Sequence, residues 1–182
     1  MGSANKLLMP VRGRALITHI LETLKSSGLG KPVVVCGYQQ REMEALLSPY
    51  CTQIVRNPDY LEGLSSSLKQ GIRALPEGCD GVLICLGDMP FVSAETLRDL
   101  VKAFDPQRGR SICIPTSANQ HGNQRGNPVL IAKKFFPELL ELTGDHGAKD
   151  LIRAKESETL EVPVQDDGIF LDLDTQEAFD LQ

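Results

Sequence analysis

The sequence predicts a single α/β domain over residues 1–182, built on a mostly parallel sheet. Three observations carry that reading. Short apolar, β-branched runs alternate with segments of helical period. The connections between them are short, as in strand–helix–strand units. No internal repeat, low-complexity tract or linker divides the chain.

The elements follow in order. Residues 15–27, "ALITHILETLKSS", put Leu16, Ile17, Ile20, Leu21 and Leu24 on one helical face, and Gly28 is a natural stop. "PVVVC" (32–36) is a strand, "QQREMEALLS" (39–48) a helix and "QIVRN" (53–57) a strand. "GLSSSLKQGIRAL" (63–75) becomes a helix, and "GVLICL" (81–86) is the strongest strand. "SAETLRDLVKAF" (93–104) is a helix with Ser93 as N-cap and Glu95 in its first turn. "SICIPT" (111–116) is a strand, 117–127 a polar loop and "PVLIA" (128–132) a strand. Helices follow near 134–142 and 147–154, then strands at 160–164 and 169–173, and "TQEAFDLQ" starts a last helix.

The composition removes several function classes. A net charge of −5 with no basic run speaks against nucleic acid as a partner. No apolar stretch approaches the ~18–20 residues of a membrane span, and the N-terminus lacks a secretion pattern. The five Cys include no CxxC pair, and Cys36, Cys85 and Cys113 sit in strand-like apolar runs. That usage fits a reduced, cytoplasmic protein, and three scattered His speak against a zinc site. His19, on a helix, reads as structural.

In sheets of this kind ligands bind outside the carboxyl ends of the strands. Asp88 stands there, on the Gly-Asp-Met-Pro turn after "LICL". It either holds a hard cation such as Mg²⁺, which takes one or two carboxylates, or it caps the helix at 93. Asp172 and Asp174 would share a strand face, and Asp174 is either a second carboxylate ligand or a helix N-cap. "MGSANK" places small residues, Gly2 and Ser3 among them, before Lys6. That suits phosphate oxygens, or it is a loose terminus. Ser65, Ser66 and Ser67 open a helix, where hydroxyls and free N–H groups suit sugar or phosphate oxygens, although a cap needs only one Ser. Gly126 and Asn127 allow close approach to a ligand, or form a loop-to-strand turn. "TGDHGAKDL", with Asp145, His146 and Lys149, is a second Gly-rich candidate or a helix connector.

Taken in order, "GSANKLL", "NPDYLEGLSSSL", "LGDMPFV", "RGNPVLI", "GDHGAKDL" and "LDLDT" resemble the MobA-like nucleotidyltransferases of molybdenum cofactor biosynthesis. The likeness runs from residue 1 to about residue 180, and "EGLSSSL" is most similar to the molybdenum cofactor cytidylyltransferases. The resemblance implies a Rossmann-like, three-layer α/β/α nucleotidyltransferase fold. It implies transfer of CMP from CTP to molybdenum-bound molybdopterin with release of pyrophosphate, dependent on Mg²⁺. By position, Lys6 and Asp88 would be catalytic. Gly2, Ser3, Lys6, Ser65, Ser66, Ser67 and Asp88 would bind nucleotide. Gly126, Asn127, His146 and Lys149 would face the pterin, and Asp88 with Asp174 would hold the metal. Family members often carry Arg at the place of Lys149, which has the same charge without the bidentate fork. A molybdenum hydroxylase would receive the product. The competing expectations are a guanylyl- or sugar-phosphate nucleotidyltransferase, a non-catalytic carrier of the molybdenum cofactor, and an α/β domain without catalysis.

One departure stands out. Members of the family begin with a strand and a Leu-Ala-Ala-Gly-x-Ser-x-Arg-Met-Gly loop, and Met1-Gly2 lines up with the end of that loop. The expectation is that Met1 is an internal methionine with coding sequence upstream, the alternative being a shortened form completed by a partner chain. Weak or absent activity is expected of residues 1–182 alone.

Overall fold

The computed structural model describes residues 5–50, 53–117, 124–145 and 147–173. Asn5 Oδ1 accepts from the Leu7 amide at 3.1 Å and caps a 3-10 turn, Lys6–Leu8. A two-residue-a-side hairpin, β1 (Pro10–Val11) and β2 (Arg14–Ala15), leads into helix α1 (Leu16–Ser27). Its predicted apolar face is buried at Leu16, Ile17, Ile20 and Leu21, and Gly28 ends it at φ +76°. Strand β3 (Val33–Cys36), helix α2 (Gln40–Leu47) and strand β4 (Gln53–Arg56) form a parallel unit. Helix α3 (Leu64–Arg73), strand β5 (Gly81–Ile84) and helix α4 (Ala94–Ala103) follow. Ser93 Oγ caps α4 by accepting from the Thr96 amide at 3.1 Å, as predicted.

Strands β6 (Ile112–Ser117), β7 (Gln124–Arg125), β8 (Val129–Ala132) and β9 (Thr159–Pro163) complete the strand set, with helices α5 (Phe136–Glu141) and α6 (Lys149–Ala154) between β8 and β9. β5 pairs with β8, β8 and β7 lie along one edge of β6, and β9 takes the other edge. The sheet is mixed rather than mostly parallel: β3–β4 and β6–β9 are parallel, whereas β8 runs antiparallel to both neighbours. The return from β6 to β8 contains no crossover helix among its described residues, and so direct a return leads to antiparallel pairing.

Two further expectations are corrected. Residues 169–173 form no strand; Asp167–Phe170 is a 3-10 turn. Asp166 Oδ1 accepts from the Gly168 amide at 3.0 Å, which turns the segment, and Gly168 packs it against the Phe91 backbone in the loop after Asp88. The 117–127 loop is shorter than expected, because Ser117 closes β6 and Gln124–Arg125 pair with it. Asp174 and the predicted last helix lie outside the described residues.

Side-chain alternation sorts the helices into two layers. Ile17, Ile20 and Leu21 of α1, Met43 and Leu47 of α2 and Leu97 of α4 form one cluster with Val34, Leu83 and Cys85. Ile72 of α3, Leu139 of α5 and Leu151 of α6 form another with Val82 and Ile84. The result is the three-layer α/β/α arrangement. Among the described residues no helix is long and apolar enough to cross a membrane.

Candidate functional site

The site is built at the carboxyl ends of β3 and β5. After β5 the chain passes Cys85 and Leu86 to Gly87 and Asp88. A Cβ on Gly87 would stand 2.9 Å from Ile17 Cδ1 and 3.2 Å from Leu7 Cδ2, so glycine is what lets the N-terminal turn settle here. That turn brings the Lys6 ammonium to 2.6 Å from Asp88 Oδ2. The two side chains are 31% and 19% exposed, enough cover to weaken water screening and enough access for a ligand. Asn5 faces the other strand end: its side-chain amide donates to the Tyr38 carbonyl and its backbone N–H to Gln39 Oε1, both at 3.3 Å. Burial pushes the Cys85 thiol up to about 12, so the cysteine beside the site stays protonated and is no nucleophile at neutral pH.

The second wall comes from the chain's last third. The Leu173 amide donates to the Asp88 carbonyl at 3.0 Å, which sets the 171–173 segment beside Asp88. Asp172 lines a cleft of about 150 Å³ with Gly126, Asn127, Leu86 and Met89. Gly126 is close-packed: a Cβ there would lie 2.6 Å from the Ile169 carbonyl oxygen, and the Asn127 amide donates to that carbonyl at 3.0 Å. The close approach foreseen at Gly126 is therefore made by backbone 169. Arg125, which sequence reasoning passed over, pins this lip. It donates to Glu161 Oε1 at 2.8 Å and to the Glu156 carboxylate, which it holds below the usual carboxylate range.

Among the described residues no group of three or more His, Cys, Asp or Glu clusters as a metal nest. Asp88 and Asp172 lie on backbone segments joined by the Leu173–Asp88 bond, and each carboxylate is a hard oxygen donor. Such donors suit a cation that takes one or two carboxylates and fills its shell with water and phosphate oxygens.

The three serines are placed differently from one another. Ser66 Oγ donates to the Gly63 carbonyl at 2.8 Å, and Asn57 Nδ2 donates to Ser66 Oγ at 2.8 Å and to Ser67 Oγ at 2.9 Å. Asn57 is 1% exposed, and its Oδ1 accepts from the Asp59 amide at 3.0 Å. Two hydroxyls thus tie α3 to the end of β4. Ser65 and Ser66 line a cleft of about 440 Å³ with Lys69, Arg73, Asp59, Glu62 and Gly144, and neither Lys6 nor Asp88 reaches it. The 143–145 loop closes that cleft: Asp145 Oδ1 accepts from the Leu64 amide at 3.1 Å, and the Gly144 carbonyl accepts from Ser65 at 3.1 Å. Lys149 is exposed at the start of α6 and lines neither cleft. Gly2, Ser3, His146 and Asp174 lie outside the described residues. Asp166, unforeseen, accepts from the Ser93 amide at 2.8 Å and from Thr96 Oγ1 at 2.6 Å and locks the start of α4. Its bond to Gly168 is local, but its partners on α4 are 70 or more residues away, out of reach of any local pattern.

Comparison with known proteins gives four findings. The MobA-like NTP transferase domain matches residues 1–160. Nicotine blue oxidoreductase of Paenarthrobacter nicotinovorans is 29% identical, over 97% of this chain and 87% of its own. Among solved structures, the manganese complex of Rv0371c from Mycobacterium tuberculosis H37Rv superposes with a TM-score of 0.81 at 23% identity, over 97% of this chain and 89% of that one. A nucleotidyl transferase from Methanothermobacter thermautotroptrophicus superposes at 0.73 with 26% identity, over 89% and 76%.

Proposed function

The chain belongs to the MobA-like NTP transferase domain family, and from that premise we propose that it moves CMP from CTP to the terminal phosphate of molybdenum-bound molybdopterin. The observation that carries the reading is the Lys6–Asp88 pair at 2.6 Å on the rim, an ammonium from the N-terminal 3-10 turn and a carboxylate just past the end of β5. Nucleotidyl transfer demands positioning and charge neutralisation more than a protein nucleophile. Lys6 supplies a point charge for the triphosphate. A divalent cation, Mg²⁺ in this proposal, would be held by Asp88, with Asp172 or Asp174 as a second carboxylate, and would neutralise charge on the phosphates. The Rv0371c structure with manganese supports a divalent ion in this fold. Gly126, Asn127 and Arg125 form the opposite lip, where the acceptor phosphate would enter. Ser65 and Ser66 line the neighbouring cleft with Thr143 and Gly144, and together with Ser67 they would contact nucleotide beyond the reacting phosphates. Gly2 and Ser3 belong to the nucleotide side of this proposal, and His146 and Lys149 to the pterin side. The protein would act in the cytoplasm and hand its product to a molybdenum hydroxylase.

The test is pyrophosphate release with Mg²⁺, molybdenum-loaded molybdopterin and either CTP or GTP. Release with CTP supports the proposal; release with GTP only replaces it with a guanylyltransferase. A second reading rests on the relative named as an oxidoreductase of nicotine blue. It predicts no pyrophosphate from either nucleotide and turnover of a redox dye.

A further inference from the structure

The segment after β9 runs antiparallel to the loop that carries Asp88, and three contacts set their register. The Leu173 amide donates to the Asp88 carbonyl at 3.0 Å. Gly168 lies on the Phe91 backbone, where a Cβ would stand 2.3 Å from the Phe91 carbonyl oxygen. Asp166 Oδ2 accepts from the Ser93 amide at 2.8 Å and from Thr96 Oγ1 at 2.6 Å. Both ends of the 88–93 loop are therefore tied to one strap, residues 166–173. The other side of the strap carries the opposite lip of the cleft. The Ile169 carbonyl accepts from the Asn127 amide at 3.0 Å, and Gly126 packs directly on Ile169. Ser117 Oγ donates to Asp167 Oδ1 at 3.3 Å, which fastens the strap to the end of β6 as well. Met89 of the loop, Asn127 of the lip and Asp172 of the strap then line one cleft.

We propose that Asp166 is a positioning residue: by pinning the strap to the start of α4 it sets the gap between Asp88 and the Asn127 lip. The Leu173 tie is backbone to backbone and depends little on side-chain identity. Asp166 is different, because its two oxygens grip strap and loop at once. Oδ1 accepts from Gly168 within the strap, and Oδ2 takes both donors at the start of α4. Hydrogen bonds to an ionised acceptor are short and strong, which makes this a stiff joint. The catalytic part of the inference rests on the nucleotidyl-transfer reading. There an oxygen of the acceptor phosphate, entering at the lip, forms its bond to the α-phosphorus as the bond from that phosphorus to the departing pyrophosphate oxygen breaks. The donor lies on the Asp88 side and the acceptor on the Asn127 side, so in-line approach depends on the gap between two loops. A misplacement of about 1 Å costs on the order of 10²-fold in rate. Binding of the nucleotide alone does not depend on that gap, so the loss belongs to kcat rather than KM.

The test uses Asp166→Asn, Thr96→Val and Thr96→Ser. In Asp166→Asn one of the two grips is lost whichever way the amide turns, since its NH₂ cannot accept. Thr96→Val keeps the shape and removes the hydroxyl donor, and Thr96→Ser keeps the donor. Two quantities are read: hydrogen exchange at the Asn127 and Leu173 amides, and kcat and KM for CTP in pyrophosphate release. Asp166→Asn and Thr96→Val should speed exchange at both amides by roughly tenfold. They should lower kcat by about tenfold or more with KM for CTP within about twofold, and Thr96→Ser should behave as the unaltered chain. Unchanged exchange at the two amides in Asp166→Asn overturns the proposal. So does a rise in KM at constant kcat, and so do equal losses in Thr96→Val and Thr96→Ser, which would mean packing alone. If Asp166→Asn does not fold, the two Thr96 variants carry the same comparison. If no chain releases pyrophosphate, the nucleotidyl-transfer reading fails, and exchange at Asn127 and Leu173 still decides whether this joint sets the gap.

Discussion

Lys6 and Asp88 are 82 positions apart in sequence, and their charged atoms meet at 2.6 Å. The carboxylate is held in place by its own backbone carbonyl, which accepts from Leu173, and the ammonium by a capped turn resting on Gly87. The pair is preorganised by packing, so its role can be separated from its stability.

Lys6→Ala and Asp88→Asn are each expected to lower pyrophosphate release by about 10²-fold, the scale of removing one group that stabilises developing charge. Partly exposed ion pairs contribute about 1 kcal/mol or less, so urea midpoints should move little. A loss of activity matched by global unfolding would show that the pair is structural only.

Asn57→Ala should destabilise the fold by about 1–3 kcal/mol, since Ser66 and Ser67 lose a buried partner at once. Equilibrium unfolding in urea measures it. A change under a few tenths of a kcal/mol would mean the three groups re-pair with water.

Gly126→Ala forces a methyl group to within 2.6 Å of the Ile169 carbonyl. Overpacking of this kind costs about 1–3 kcal/mol. The thermal midpoint should fall, and the cleft between Asn127 and Asp172 should open. An unchanged midpoint would show that segment 167–170 gives way freely.

The stability of the fold should decline in alkali. Burial pushes the Cys113 thiol up to about 11 from an ordinary 9.0, against a smaller opposing pull from Arg110. A raised pKa means the folded state holds the proton more tightly. The stabilisation is full below pH 9 and is lost between pH 9 and 11. Each such thiol contributes about 1–2 kcal/mol across that window. Urea unfolding at pH 8 and pH 10.5 reads the loss, and Cys113→Ala should show a smaller difference between the two.

How much of this was legible in the sequence depends on the range of the forces involved. Helix α1 with its Gly28 stop, α4 with its Ser93 cap and the strand leading to Asp88 are all local patterns, and each is where periodicity and capping predict it. The antiparallel return of β8, the turn at Asp167–Phe170 and the role of Asp166 are long-range arrangements. A run such as "IFLDL" has strand propensity, and a tertiary hydrogen bond with close backbone packing overrides it. At the site, Asp88 was legible because a carboxylate interrupts an apolar run. Arg125 was not, because its partners Glu156 and Glu161 are brought near only by β9. The serines were legible as a group, but the division of labour among them depends on Asn57.

The clasp of Asp145 and Gly144 on the start of α3 has a temporal consequence. Leu64 and Asp145 are 81 positions apart, so the ribosome must add that stretch before the helix receives its cap. At about 5–20 residues per second this takes roughly 4–16 seconds. Through that interval the first turn of α3 must rely on water for its free amides, while β3 and β4 already wait beneath it. The wide cleft beside Lys69 and Arg73 therefore gains its far wall only after that interval.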